Sequence, residues 1–263
     1  MSASIERPPP ARAAEVLNRA VLGDHLKRLF WMLEIDCVLD VGAFVGDYGV
    51  FLRGLGYRGR MISFEPVLAA YEQLERISAE DAGWTARRLA LGRRSEERTI
   101  NVARAGHFSS LLSPSAYGLE EFAGLSEVER TEIVPVERLD GVLEAADGEL
   151  GDARTFLKVD AQGSDLEILE GAGERLDAIA AVQFEAPTKP VYEDMPTLED
   201  LVSYLRARGF ELTGVVPVTR DRFLRLVELD CVMVRTPPVE SAPLAPTVAS
   251  AGVGRPSRRR RGR

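Results

Sequence analysis

The chain has 263 residues, 45% of them hydrophobic, and a formal net charge of −8 at pH 7. Six arginines lie within residues 255–263, so the rest of the sequence carries a net charge of −14. This length and apolar share are typical of one globular domain with a sizeable core. The acidic body argues against the broad basic surface that duplex DNA or RNA requires, and no nucleic-acid partner is expected.

The composition of the two ends and of the cysteine neighbourhoods indicates the domain limits and the compartment. Residues 1–10 contain a Pro-Pro-Pro run and residues 237–263 are rich in Pro, Ala and Arg, so both ends are predicted to be disordered around one domain, residues 11–236. No hydrophobic run is long enough for a signal peptide or a membrane span, and no membrane partner is expected. Cys37 and Cys231 lie in apolar runs, which favours buried reduced thiols and a cytoplasmic location.

Strands and helices are predicted to alternate along the domain, after an N-terminal helical segment over residues 11–33 that forms one helix or a broken pair. Short apolar runs predict strands over residues 37–41, 60–65, 85–91, 98–103, 132–136, 155–160 and 179–185. Apolar positions at helical spacing and capping residues predict helices that start at Asp47, Pro66, Ser164 and Thr197. Two final strands, residues 210–218 and 223–235, form an antiparallel hairpin. The order predicts an α/β fold with a mostly parallel sheet.

Acidic residues end four of the predicted strands: Asp40, Glu65, Asp160 and Glu185. In an open parallel sheet, ligands bind beyond the carboxyl ends of the strands, where the strand order reverses. The four acids are therefore expected near one site. Each of them could equally serve only as a helix cap.

The first predicted strand leads into the glycine-rich stretch GAFVGDYG, residues 42–49. Its G-x-x-x-G-x-x-G spacing is neither the dinucleotide-binding fingerprint nor a P-loop. Gly42 permits a tight turn, and Gly46 permits close approach of a ligand or of the strand to the next helix, whose N-terminal amides attract a carboxylate. The stretch fits a ligand with a carboxylate, a ribose and no phosphate, and Glu65 is placed to accept hydrogen bonds from both ribose hydroxyls.

Four segments together resemble the S-adenosylmethionine-dependent methyltransferases of the FkbM type: VLDVGAFVGDYG, ISFEP, FLKVDAQGSDLEILEGA and VQFEAP. The resemblance covers roughly residues 38–234. It implies a Rossmann-like class I methyltransferase fold, with a seven-stranded sheet, helices on both faces and an antiparallel last strand. It also implies methyl transfer to a hydroxyl of a polyketide, sugar or lipid-like small molecule, as in natural product biosynthesis. Phe44 stands where relatives usually carry Asn, and Asp165 where they usually carry Glu.

The resemblance also implies where S-adenosylmethionine binds. The methionine end is expected over the first glycine loop, the ribose on Glu65 and the adenine at the end of the third strand. The cofactor-binding residues are then Asp40, Gly42, Ala43, Gly46, Glu65 and Ala90.

Methyl transfer to an aliphatic hydroxyl needs a group that accepts its proton. Asp160 is the first candidate, with His107 in a long loop, Glu185, and Asp165 at a helix start as further candidates. Lys158 is expected on the opposite face of the strand from Asp160, paired with a neighbouring acid. Asp160 and Glu185 could together bind Mg²⁺, but no third acid is spaced to join them, and no metal is predicted.

Two other functions remain open. The fold could methylate nitrogen on a macromolecule, although the acidic body and the lack of an Asn-Pro-Pro-Tyr-like or cysteine-based site weigh against this. It could also belong to an accessory protein that keeps the cofactor fold without catalysis. The oligomeric state is not predicted, because the N-terminal helical segment could cover its own sheet or pair with another chain.

Overall fold

The computed structural model describes residues 11–145 and 153–236. The ends that were predicted to be disordered, residues 1–10 and 237–263, lie outside the described residues. Within the described ranges, none of the helices combines the length and the apolar character of a membrane span.

The described residues form seven α-helices and ten strands. The helices are α1 (Ala11–Leu33), α2 (Asp47–Leu55), α3 (Leu68–Ser78), α4 (Ala116–Glu121), α5 (Leu139–Ala145), α6 (Asp165–Gly171) and α7 (Leu198–Arg206). The strands are β1 (Cys37–Val41), β2 (Arg60–Phe64), β3 (Trp84–Arg87), β4 (Ala90–Leu91), β5 (Glu96–Ala103), β6 (Val128–Glu137), β7 (Thr155–Val159), β8 (Ile179–Pro187), β9 (Phe210–Arg220) and β10 (Leu226–Arg235). The N-terminal segment is one continuous helix, not a broken pair.

Seven strands form the main sheet in the order β3-β2-β1-β7-β8-β10-β9. Strands β1, β2, β3, β7 and β8 pair in parallel, and β10 runs antiparallel to both β8 and β9. The predicted Rossmann-like sheet with a C-terminal antiparallel hairpin is confirmed. The chain order reverses between β1 and β7, so the ligand crevice of such a sheet is expected at their carboxyl ends.

Helices cover both faces of the main sheet. On one face, Leu26 and Leu29 of α1 and Leu52 of α2 pack on Val38 and Phe156. On the other face, α5, α6 and α7 pack on Leu39, Val41, Leu157 and Val159. Successive residues of β1 and β7 therefore alternate between two apolar layers, as strands buried on both sides do.

The prediction for the third strand, residues 85–91, is wrong in part. Only Trp84–Arg87 joins the main sheet. The chain turns at Leu89, whose amide donates to the carbonyl of Arg87, and Ala90–Leu91 then pairs in parallel with β6. Strands β4, β6 and β5 form a separate three-stranded sheet. Ala90 therefore lies in this second sheet and not at the end of the third main-sheet strand.

Two predicted strand and helix ends also differ from the structure. Strand β8 continues to Pro187, because β10 pairs with it along that length, so Glu185 lies inside the strand opposite Asp230. The predicted capping box at Ser164 is absent, and within the described residues the buried Ser164 hydroxyl has no hydrogen-bond partner. Instead, the carboxylate of Asp165 accepts hydrogen bonds from the amides of residues 161 and 163.

Candidate active site

The glycine loop brings the ends of β1 and β7 into contact. Gly42 has a φ of +73°, and a Cβ atom placed there would lie 1.9 Å from the carbonyl oxygen of Asp160. The amides of Gly42 and Ala43 both donate to the carbonyl of Phe64 at 3.0 Å. Gly42 thus permits both the turn out of β1 and the close approach of β7.

The loop is also fixed by the carboxylate of Glu65, directly after β2. The N–H of Phe44 donates to Glu65 Oε2 at 2.9 Å, and the N–H of Val67 donates to Oε1 at 2.8 Å. Glu65 is 6% exposed, and burial raises its pKa to about 7 although the two amides favour the charged form. Each carboxylate oxygen can accept a second hydrogen bond.

A cavity of about 200 Å³ opens beside Glu65. One part of its wall is apolar and consists of Phe64, Pro66, Val67, Leu89, Ala90, Leu91 and Ile100. Polar groups of Asp160, Gln162, Ser164 and Glu185 also line it. The lining therefore offers both an apolar surface for a flat ring and polar groups for hydrogen bonds.

A second cavity, of about 310 Å³, lies under α1 beside α2 and the β9–β10 hairpin. Its lining includes Arg19, Tyr48, Lys158, Gln183 and Asp230. It shares five residues with the first cavity: Gly42, Phe44, His107, Asp160 and Glu185. We call the place where these five residues stand the junction. Three of the four candidate proton acceptors lie there, and Asp165 lines neither cavity.

Lys158 and Asp160 point to the same face of β7, contrary to the expectation for Lys158. Residues two apart along a β-strand share a face, so an opposite face for Lys158 was inconsistent with the two-residue period of a strand. Lys158 Nζ lies 3.2 Å from Asp40 Oδ1 and 3.4 Å from Asp160 Oδ2. Although burial opposes its charge, these two acids raise the pKa of Lys158. The predicted pairing with a neighbouring acid is confirmed.

The carboxylates around the junction strongly influence one another. Burial raises the pKa of Glu185 well above its usual value, and Asp160, Glu228 and Asp230 raise it further. Burial also raises the pKa of Asp165 to about 7, of Glu228 to about 7 and of Asp230 to about 6. This side of the site therefore holds protons more tightly than isolated carboxylates would.

Two aromatic rings separate the cavities at the junction. Phe44 and His107 form an edge-on pair with ring centroids 6.1 Å apart. Gly106 makes room for this pair, because a Cβ atom there would lie 2.8 Å from Phe44 Cε2. Burial lowers the pKa of His107, and Asp160 opposes the shift only in part, so the ring is neutral at pH 7. The φ of Phe44 is +48°, a conformation in which Asn is far commoner.

The other residues predicted to bind a cofactor occupy different positions. Ala43 lines the second cavity and Ala90 the first. Asp40 and Gly46 line neither of these cavities. Asp40 is buried between Lys158 and the hydroxyl of Ser63, and a Cβ at Gly46 would meet Leu74 and Trp84 in the core. Both residues are therefore held by contacts inside the protein.

Sequence reasoning missed several polar residues of the site. Gln162 bridges Asp160 and Glu185, while Gln183 connects Tyr48 to Asp230. No spacing rule identifies a neutral amide in such a role. Among the described residues, no group of three or more His, Cys, Asp or Glu side chains is arranged to hold a metal ion.

Solved structures with a similar fold are distant in sequence. A protein of the NADB-Rossmann superfamily from Streptococcus agalactiae is 16% identical, with 76% of this chain and 62% of that chain covered and a TM-score of 0.43. Fibrillarin from Aeropyrum pernix, solved with natively bound S-adenosyl-L-methionine, is 11% identical, with coverages of 76% and 66% and a TM-score of 0.43. Precorrin-6y C5,15-methyltransferase from Geobacter metallireducens is 12% identical, with coverages of 88% and 92% and a TM-score of 0.41. This chain spans less than two thirds of the length of the first two.

The sheet order and the crevice between β1 and β7 define a Rossmann-like fold of the class I methyltransferase type. Residues 40–212 match the sequence profile of the methyltransferase FkbM domain, and this is more than half of the chain. The chain therefore belongs to the FkbM methyltransferase family, whose cofactor is S-adenosylmethionine. No curated protein sequence matches it significantly.

Proposed function

We propose that the chain transfers a methyl group from S-adenosylmethionine to a hydroxyl oxygen of a small metabolite, such as a polyketide, a sugar or a lipid-like compound. The observation that supports this most directly is the junction, where two cavities meet at Asp160, His107 and Glu185. One cavity can take the cofactor and the other the acceptor. A group that can accept a proton then stands where the two ligands would meet.

The first cavity fits the cofactor in its chemistry. Glu65 keeps one free acceptor position on each carboxylate oxygen, which suits the two hydroxyls of a ribose. The apolar wall that includes Leu89, Ala90 and Ile100 suits an adenine ring. We assign Gly42 to the methionine end, because it lines both cavities. When bound, S-adenosylmethionine supplies a methyl group already activated by its sulfonium, and leaves as S-adenosylhomocysteine.

The residues of this chain then have to orient the acceptor hydroxyl and take its proton. His107 is neutral at pH 7, so one ring nitrogen is free to accept a proton. Glu185 has a high proton affinity because burial and neighbouring acids disfavour its charge. Asp160 Oδ2 lies 3.4 Å from Lys158 Nζ, and this contact helps to hold the carboxylate where it can accept a hydrogen bond from the acceptor hydroxyl. We assign orientation to Asp160, and proton acceptance to His107 with Glu185 as the alternative.

The cofactor assignment is tested by calorimetric titration of the purified protein with S-adenosylhomocysteine. Saturable binding is expected, weakened by Glu65→Ala and unchanged by Glu72→Ala, a change at an exposed acid of α3. Failure of the wild type to bind would overturn the assignment.

The acceptor class is tested by incubating small-molecule extracts with the protein and methyl-labelled S-adenosylmethionine, followed by mass spectrometry. A product that carries one labelled methyl on oxygen is expected. Once an acceptor is known, single-turnover rates of His107→Ala and Asp160→Asn separate the two assigned roles. Labelling on nitrogen, or unchanged rates in both variants, would contradict the proposal.

We also place the protein in a reducing compartment such as the cytoplasm. Its cysteines, Cys37 and Cys231, are both buried and unpaired with each other. Burial raises the pKa of both thiols, which makes them unreactive.

A further inference from the structure

The side chain of Gln162 lies between Asp160 and Glu185, two acids of the junction. Its Nε2 donates to Asp160 Oδ1 at 3.0 Å and to Glu185 Oε2 at 3.2 Å. Its Oε1 accepts from the hydroxyl of Tyr192 at 2.7 Å. A side-chain amide has two donor hydrogens, and each of them has a carboxylate partner here. The Tyr192 hydroxyl therefore fixes which end of the amide faces the acids.

The backbone of Gln162 is held just as closely. Its φ is +49°, and its carbonyl accepts from the hydroxyl of Ser110 at 2.6 Å. The Tyr192 hydroxyl also lies 3.0 Å from the carbonyl oxygen of Phe108, next to His107. One residue thus connects the end of β7, the middle of β8 and the turn that carries His107.

We propose that Gln162 is a positioning residue for methyl transfer, which holds Asp160 and Glu185 side by side in a fixed orientation at the junction. This rests on the proposed function, because the two acids matter for the reaction only if the junction is where methyl transfer occurs. Two neighbouring carboxylates repel each other, and without a donor between them one takes up a proton or turns away. The amide of Gln162 donates to both and opposes each of these outcomes.

Gln183, a second glutamine at the site, also contacts a tyrosine hydroxyl and a carboxylate, but only one acid. Gln183 accepts from the Tyr48 hydroxyl at 2.7 Å and donates to Asp230 Oδ1 at 2.9 Å. In both cases a tyrosine hydroxyl orients the amide toward a carboxylate. Only Gln162 serves acids from two different strands, and only its acids line both cavities.

The test compares Gln162→Leu and Gln162→Gly with the wild type. Glycine readily adopts the positive φ at this position, so Gln162→Gly keeps the proposal testable if the leucine variant fails to fold. Gln73→Leu is the matched control, because Gln73 is exposed on α3. Three measurements are made: carbon NMR titration of labelled side-chain carboxyls, calorimetric binding of S-adenosylhomocysteine, and the rate of methyl transfer as a function of pH.

Loss of the donated hydrogen bond is expected to move the titration of Glu185 upward, since a hydrogen bond to a carboxylate favours its charged form. The acidic limb of the rate profile should move in the same direction. Turnover should fall roughly ten- to a hundredfold, because the reacting groups are then no longer held in the geometry for methyl transfer. Affinity for S-adenosylhomocysteine should stay within about twofold.

If Glu185 titrates at the same pH in both variants as in the wild type, the proposal is overturned, whatever happens to turnover. A loss of S-adenosylhomocysteine affinity as large as the loss of rate would also overturn it, because Gln162 would then act on cofactor binding. If the wild type methylates no hydroxylated acceptor, the proposed function fails. The titration, which needs no acceptor, would still decide whether Gln162 holds the pair.

Discussion

Replacing Glu65 by Gln should remove a pH dependence from the stability of the protein. Burial raises the pKa of Glu65 from 4.5 to about 7 in the folded chain. The folded state therefore binds the proton more tightly than the unfolded chain does. The resulting stability is fully present below pH 4.5 and is lost as the pH rises through about 7. Between pH 5 and pH 8 the loss amounts to about 2.5 kcal/mol in the free energy of unfolding.

Glutamine keeps the shape of the side chain but does not titrate. Its amide nitrogen must face one of the two N–H groups, of Phe44 or Val67, that donate to Glu65. One of these donors then loses its partner, at a cost of about 1–3 kcal/mol at every pH. At pH 5 the variant should therefore be less stable than the wild type. Between pH 5 and pH 8 the free energy of unfolding of the wild type should fall by about 2.5 kcal/mol relative to that of the variant.

Urea unfolding at pH 5, 6, 7 and 8 measures this difference directly. Other buried acids titrate in the same range, but they are common to both proteins and cancel in the comparison. Glu72→Gln, at an exposed acid of α3, is the control and should give a difference that does not change with pH. A difference between wild type and Glu65→Gln that is also constant with pH would refute the burial argument. At pH 8 the variant should bind S-adenosylhomocysteine about tenfold or more weakly, because one charge-assisted acceptor is lost.

Three further substitutions, two of them with a companion variant, have outcomes that urea unfolding can check. Gly42→Ala should lower the free energy of unfolding by about 3 kcal/mol or more, because the new Cβ would lie 1.9 Å from the carbonyl oxygen of Asp160. At Gly54 a Cβ would meet no atom within 4 Å, so Gly54→Ala should stabilise α2 by up to about 1 kcal/mol. Lys158→Met should lower the free energy of unfolding by about 3–5 kcal/mol, because the buried Asp40 loses its counter-charge. The double variant that also carries Asp40→Asn should recover part of this loss. Phe44→Asn should change stability by less than about 1 kcal/mol, because relief of its positive φ offsets the lost ring contacts.

Most of the main sheet could be predicted because its strands are buried on both faces. Such strands appear as short apolar runs, and those of β1, β2, β7 and β8 are visible without tertiary information. The second sheet could not be predicted in the same way. Strand β4 has two residues, and it exists only because β6 runs beside it. Local sequence carries no signal for a pairing with a segment 46 residues further along the chain.

The site was only partly predictable, for a similar reason. A strand-end acid can be identified from its place after an apolar run, and Asp160 and Glu185 do meet at the junction. What each acid contacts depends on the neighbouring strand. Asp40 pairs with Lys158, which sits opposite it in the β1–β7 register, and lines neither of the two cavities. Gln162 has no sequence signal, since its role arises from three segments that meet in space.

The register between β1 and β7 explains why these groups form a single site. Asp40 and Lys158 are paired neighbours in that register, and Asp160 follows on the same face of the chain as Lys158. A slip of one residue would turn Lys158 toward the apolar layer of α6 and α7, and would bring Phe156 out of its contacts with α1. The apolar side chains of β7 exclude that slip. The same packing that stabilises the sheet therefore places the charges of the junction.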